Sequence, residues 1–225
     1  MSSHHIVRDN QEPALIIANG ESCSYELLSD LMEWTPFVVV LDGALKRVLE
    51  QEIRFDVWLG DFDSGVTANL SEYPFLSHVE VIHAEDQDKT DLQKGIEFLI
   101  ERGFTAVNII WATGKRFDHA MNNVFTLARY SDKMIINVLD SHSRIFVAPS
   151  GFRKWYPAET SISLIPCGRC EGVVTDNLVW NLKGETLELP YSTSSSNRVA
   201  QDGWVEVNFE KGHLLIMECF DHENN

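Results

Sequence analysis

The chain has 225 residues, 18 basic and 34 acidic, and a net charge of −16. That balance excludes a sequence-independent nucleic-acid binder, which has to neutralise phosphates. With 44% hydrophobic residues it can bury a core, and its length suits one large domain or two modest ones.

The first 140 residues alternate in type. Short apolar runs predict strands at 15–18 (LIIA), 37–41 (FVVVL), 57–59 (VWL), 79–82 (VEVI), 106–111 (AVNIIW) and 134–139 (MIINVL). Between them lie helical spacings. In 90–102, Leu92, Ile96 and Leu99 form a stripe, Thr90 and Gln93 read as a capping box, and Gly103 ends the segment. In 118–130, Met121, Val124, Phe125 and Ala128 share a face. Alternating strands and helices, with strands apolar on both sides, predict an α/β fold: a mostly parallel sheet covered by helices.

From Ser141 onward the long helical stripes stop. Short runs follow one another: RIFVA, SISLI, GVVT, LVWNL, TLELP, WVEVNFE and HLLIME. Gly184 and Lys211-Gly212 read as hairpin turns. This part is predicted to be an all-β sandwich. The expected division is residues 1–140 and 141–225.

The start, MSSHHIVRDNQEP, has no apolar signal core. No apolar run approaches the roughly 20 residues that cross a bilayer. Four cysteines in this length do not read as a disulfide framework. A cytoplasmic location with no membrane partner is expected. Cys167 and Cys170 form a CxxC without a second ligand pair, so an inert β-turn is the expected reading.

Acids gather where strands end. Asp42 follows the second strand and Asp61 and Asp63 the third, in GDFDSG. Asp86, Asp88 and Asp91 follow the fourth, and Asp118 follows the fifth. Ligands of open α/β sheets bind at that edge. Clustered carboxylates need a cation, and Mg²⁺ with a substrate phosphate suits hard oxygen donors. Gly60 and Gly65 would give a phosphate or an ion room to approach. The basic counterpart is GKRFDHAMNN at 114–123. There Arg116 offers planar donors for a phosphate or an adenine face, and Asp118, His119 and Asn123 open a helix. Lys89 and Lys115 are expected to be solvated charges, with contact to a phosphate as the lesser alternative. The STSSSN run at 192–197 reads either as a polar loop or as hydroxyls and an amide facing a small heterocycle.

These motifs resemble the thiamin pyrophosphokinase family. LDGALKRVLE (41–50), FDVWLGDFDSG (55–65), DQDKTDLQKGIEFL (86–99) and GKRFDHAMNNVFTLARY (114–130) carry the likeness. SLIP, GVVTDNLVWNL and TSSSN continue it in matching order, over roughly residues 14–217. The chain departs from it with GKR for GGR and TSSSN for STSN. The resemblance implies an α/β catalytic domain, a β-sandwich domain, and a homodimer with active sites at its interface. It implies pyrophosphate transfer from ATP to the thiamin hydroxyl, giving thiamin diphosphate and AMP. On that basis Asp42, Asp61, Asp63 and Asp91 would hold Mg²⁺ and the triphosphate. Arg116, Asp118, His119 and Asn123 would lie at the nucleotide side, and Gln87, Ser195, Ser196 and Asn197 would face thiamin. The rivals are a haloacid-dehalogenase-type phosphatase, suggested by the DFD string, and a non-catalytic thiamin or nucleotide sensor.

Overall fold

The computed structural model describes residues 12–62, 73 and 76–220. The chain divides into two compact units, Met1–Thr126 with Asp132–Asp140, and Leu127–Ser131 with Ser141–Asn225.

The first unit contains β1 (Ala14–Ile17), α1 (Tyr25–Glu33), β2 (Val38–Leu41), a 3-10 turn (Asp42–Ala44), α2 (Leu45–Glu50), β3 (Val57–Gly60) and β4 (Glu80–His83). It continues with α3 (Asp91–Glu101), β5 (Ala106–Ile110), α4 (Phe117–Tyr130), whose residues from Leu127 on are counted with the second unit, and β6 (Ile135–Leu139). The six strands pair in parallel in the order β4-β3-β2-β1-β5-β6. β1, β2 and β3 are buried at every position, as sides that both meet helices require. Leu15, Ile17, Val38 and Val40 pack with Leu28 of α1 and with Leu45 and Val48 of α2. On the alternate side chains, Gly95 of α3 lies against Ile16 and Leu41. The apolar stripe and the Thr90–Gln93 capping box place α3 as its spacing predicts.

α1 has no counterpart among the predicted helices. Its signal was Ser24, whose side chain accepts from the Leu27 N–H at 3.3 Å. On α4 the buried residues are Thr126, Leu127 and Tyr130, whereas Met121 is exposed. The predicted inner stripe was rotated.

The second unit is antiparallel. It comprises β7 (Ser143–Val147), β8 (Phe152–Tyr156), β9 (Ser161–Pro166), β10 (Arg169–Asp176), β11 (Lys183–Glu188), β12 (Ser194–Arg198), β13 (Gly203–Asn208) and β14 (Leu214–Cys219). One layer runs β12-β9-β14-β7 and the other β11-β10-β13-β8. Side chains from both layers, among them Leu164, Ile216, Val173 and Val205, fill the space between. A buried polar tie joins the layers. Glu218 of β14 accepts from Lys154 at 2.6 Å and from the Tyr156 hydroxyl at 2.5 Å, both on β8. Burial, then Glu218, pushes the Tyr156 phenol up.

Two turn assignments change. Gly184 lies inside β11, and the reversal is made by residues 177–182, so LVWNL is a turn carrying one isolated bridge from Leu178 to Val199. Lys211-Gly212 joins β13 to β14, which lie in different layers, so it is a crossing rather than a hairpin. FRKWY, unassigned in the sequence, is β8.

Candidate active site

The parallel order places β2, β3 and β4 side by side, so their carboxyl ends open on one edge. Asp42 begins the 3-10 turn directly after β2. Its side chain is buried, and its Oδ1 has no hydrogen-bond partner. Gly60 ends β3 beside it. A Cβ there would overlap the Asp42 Cβ, so this glycine makes room for a carboxylate, not for the phosphate or ion expected of it. Asp61 follows directly, and Asp91 opens α3. Asp63 and Gly65 lie outside the described residues.

Lys94 stands among these acids. Three residues after Asp91, it is buried on the inner side of α3 between core positions Leu92 and Ile96. Its Nζ is 3.6 Å from Asp61 Oδ2 and 3.5 Å from Asp91 Oδ1. Burial raises the Asp91 carboxyl above the ordinary range. Lys94 opposes the shift, and the charges of Asp61 and Asp42 add to it. Sequence reasoning missed this lysine, although an i,i+3 pairing with Asp91 was visible. Among the described residues no group of three ligating side chains is close enough to hold an ion alone. The donors are nonetheless all hard carboxylate oxygens, and one of them is orphaned and buried. The set therefore fits a divalent cation that also binds substrate oxygens.

The other predicted residues occupy several settings. Asp86 accepts from the Asp88 N–H at 3.0 Å and pairs with Lys89 at 3.2 Å, while Lys89 also pairs with Glu97 at 2.9 Å. Lys89 is thus bridged rather than solvated. Gln87 sits exposed in the same turn. Arg116 and Asp118 form a two-bond ion pair at 3.1 and 2.5 Å, both side chains exposed. The guanidinium holds the Asp118 carboxyl down to about 2. His119 is exposed on the first turn of α4. Asn123 donates to the Ala112 carbonyl at 2.8 Å and so fastens α4 to the loop after β5.

Lys115 is engaged as well. It donates to the Asn19 carbonyl at 3.2 Å, and Arg47 donates to Asn19 Oδ1 at 3.2 Å. Neither Asn19 nor Arg47 carries a signal of this role in the sequence.

In the second unit the serine run is an edge strand with a bulge, not a loop. Ser195 and Ser196 are exposed, and Ser196 has a positive φ of 54°. The buried Asn197 amide is engaged within the unit. It donates to the Trp180 carbonyl at 2.8 Å and to Ser194 Oγ at 3.0 Å, and accepts from the Trp180 N–H at 3.2 Å and the Arg198 N–H at 2.9 Å. That network clamps the 177–182 turn and leaves Trp180 57% exposed. Cys167 lies in the turn between β9 and β10 and Cys170 within β10, both as free thiols. Burial raises both, Cys167 to about 11, which disfavours thiolates.

Carboxylates at the open edge of a parallel sheet, in a chain that also builds a β-sandwich, define an α/β protein with a cation-suited site at that edge. Comparison with known proteins narrows that class. Residues 28–139 match the model of the thiamin pyrophosphokinase catalytic domain, and residues 153–214 match that of the thiamin pyrophosphokinase vitamin B1 binding domain. Thiamin pyrophosphokinase 1 of Caenorhabditis elegans is 26% identical over 211 residues, 86% of this chain and 84% of the relative. Thiamine pyrophosphokinase 3 of Oryza sativa subsp. japonica is 31% identical over 182 residues, 75% of this chain and 67% of the relative. The crystal structure of thiamine pyrophosphokinase from Bacillus subtilis has a TM-score of 0.77 at 19% identity, covering 93% of this chain and all of that one. The yeast thiamin pyrophosphokinase structure has a TM-score of 0.76 at 18% identity, covering 96% and 88%. The chain belongs to the thiamin pyrophosphokinase family. Members of this family are diphosphotransferases with ATP as cosubstrate, generally with a divalent metal.

Proposed function

We propose that this chain transfers the pyrophosphoryl group of ATP to the hydroxyl of thiamin, releasing AMP, with Mg²⁺ as the divalent ion. The observation that carries the reading is the buried, unpartnered Asp42 carboxylate oxygen beside Asp61, Asp91 and Lys94 at the carboxyl edge of a parallel sheet. A carboxylate held there without a donor is poised for a cation.

On this reading Asp42, Asp61, Asp63 and Asp91 hold Mg²⁺, which when bound neutralises phosphoryl oxygens. The thiamin hydroxyl oxygen attacks the β-phosphorus, the bond from that phosphorus to the α,β-bridging oxygen breaks, and AMP leaves. The hydroxyl proton passes to the Asp91 carboxylate. Arg116, Asp118, His119 and Asn123 flank the adenosine side. Gln87, Ser195 and Ser196 face thiamin, and Asn197 sets the Trp180 ring as a flat surface for the heterocycle. Thiamin is a cation, and a chain of charge −16 attracts it. The protein works as a homodimer with active sites at the interface, in the cytoplasm. Four free thiols support a reducing compartment, and among the described residues no helix is long and apolar enough to cross a membrane.

The test is incubation with ATP, Mg²⁺ and thiamin, with nucleotides separated by chromatography. AMP with thiamin diphosphate is the expected product, and Asp61→Asn should abolish it while sparing thiamin binding. ADP, or a phosphorylated Asp61, would instead indicate single phosphoryl transfer.

A further inference from the structure

The loops after β1 and β5 flank the topological switch point of the sheet. The chain runs outward from β1 to β4 and returns on the other side of β1 as β5. Arg47 and Lys115 converge there on one neutral residue. Arg47 reaches Asn19 Oδ1 at 3.2 Å and Ser22 Oγ at 2.9 Å, and its guanidinium lies 4.5 Å from the centre of the Trp111 ring. Lys115 Nζ reaches the Asn19 carbonyl at 3.2 Å and its Oδ1 at 3.5 Å.

Two cations sharing an amide repel each other. Among the described residues neither forms an ion pair with a carboxylate, in a chain where acids outnumber bases 34 to 18. Partial desolvation lowers both groups from their ordinary values, and the charge of Arg47 adds to the shift at Lys115, while Glu50 opposes it at Arg47 and Glu21 opposes it at Lys115. The backbone around the pair is itself constrained: Trp111, Gly114 and Lys115 have φ of 56°, 71° and 49°. Such a concentration of positive charge is stabilised by an anion. The nook also adjoins the acidic cluster. A Cβ on Gly43, the residue after Asp42, would overlap the Asn19 amide.

We propose that Arg47 and Lys115 form the cradle for the nucleotide's polyphosphate chain, leaving Arg116 to the adenosine end. The inference rests on the functional reading above. Arg116 is the weaker candidate for the phosphates, because Asp118 already neutralises it through two bonds. The cradle places phosphate oxygens between two cations on one side and the carboxylates of Asp42 and its neighbours on the other. That is the polarity a metal-bound triphosphate needs.

Isothermal titration with inorganic tripolyphosphate, in Mg²⁺ and without thiamin, tests the cradle. Arg47→Gln and Lys115→Gln should each weaken binding about tenfold or more and flatten its salt dependence. Arg47→Lys should recover part of the loss. Arg116→Gln should stay within about twofold of the parent, as should Lys46→Gln, which removes a charge from the same α2 helix. If Arg47→Gln fails to fold, the exposed Lys115 carries the comparison alone. Parental affinity in both the Arg47→Gln and Lys115→Gln variants overturns the proposal, as does an equal loss in Arg116→Gln. AMP formation by the parent protein is measured alongside. AMP release with an unaffected tripolyphosphate affinity sinks the cradle alone. Tripolyphosphate binding that depends on Arg47 and Lys115, without AMP release, keeps the cradle and sinks the parent reading.

Discussion

Replacing Lys94 with methionine keeps most of the length of the unbranched side chain and removes its charge. At 3.5 and 3.6 Å from two carboxylates, an ammonium gains roughly 4–5 kcal/mol per pair at an effective dielectric near 20. Most of that gain is offset. Burying the ammonium costs several kcal/mol, and the Asp61 and Asp91 side chains are 31% and 37% exposed, so solvent screens both pairs. A net loss of about 2 kcal/mol is expected in chelator, lowering the melting temperature by about 4–8 °C for a chain of this size. The same substitution removes a competitor for the acidic oxygens. Added Mg²⁺ should therefore stabilise Lys94→Met more than the parent, which calorimetric melts with EDTA or MgCl₂ would read. An unchanged melting temperature in EDTA, or identical Mg²⁺ responses in both proteins, would show that Lys94 is not the resident counter-ion of the cluster.

Three further outcomes follow from the geometry. Gly60→Ala drives a methyl into Asp42 and should cost about 1–3 kcal/mol, with a larger fractional loss of AMP formation than of thiamin affinity; full activity would mean that Asp42 can move aside freely. Asn197→Ala removes four hydrogen bonds and strands the Trp180 backbone groups, at about 2–3 kcal/mol, and should raise the thiamin KM more than the ATP KM; equal effects on both would detach the 177–182 turn from thiamin. The Asp118 carboxyl is lowered from 3.8 to about 2, so its ionised form contributes stability above the higher value that is lost as pH falls toward the lower. Asp118→Asn should flatten that acid limb in pH-dependent melts, and an unaltered limb would refute the pairing with Arg116.

Much of the fold was legible because burial leaves a periodic trace. Runs such as FVVVL announce a strand covered on both sides, and the Thr90–Gln93 box marks where α3 begins. The shift to antiparallel β after residue 140 was equally visible, since a half-buried strand alternates and a helix does not. Assignments failed where local pattern and tertiary role diverge. LVWNL looks apolar enough for a strand, yet the buried Asn197 amide holds it as a turn and presents Trp180 outward. Lys211-Gly212 looks like a hairpin, and only the layer order shows that it crosses between sheets.

The sequence by itself determined which acids end which strands, because strand ends are set by local apolar runs. It could not determine which charges meet. Lys94 reaches Asp61 only because β3 lies beneath α3, and Arg47 and Lys115, 68 positions apart, share Asn19 only because β1 is flanked by β2 and β5. Electrostatic partnership depends on distance in space and on the water excluded between groups. Both are properties of the packed chain, and neither is written in the spacing of its residues.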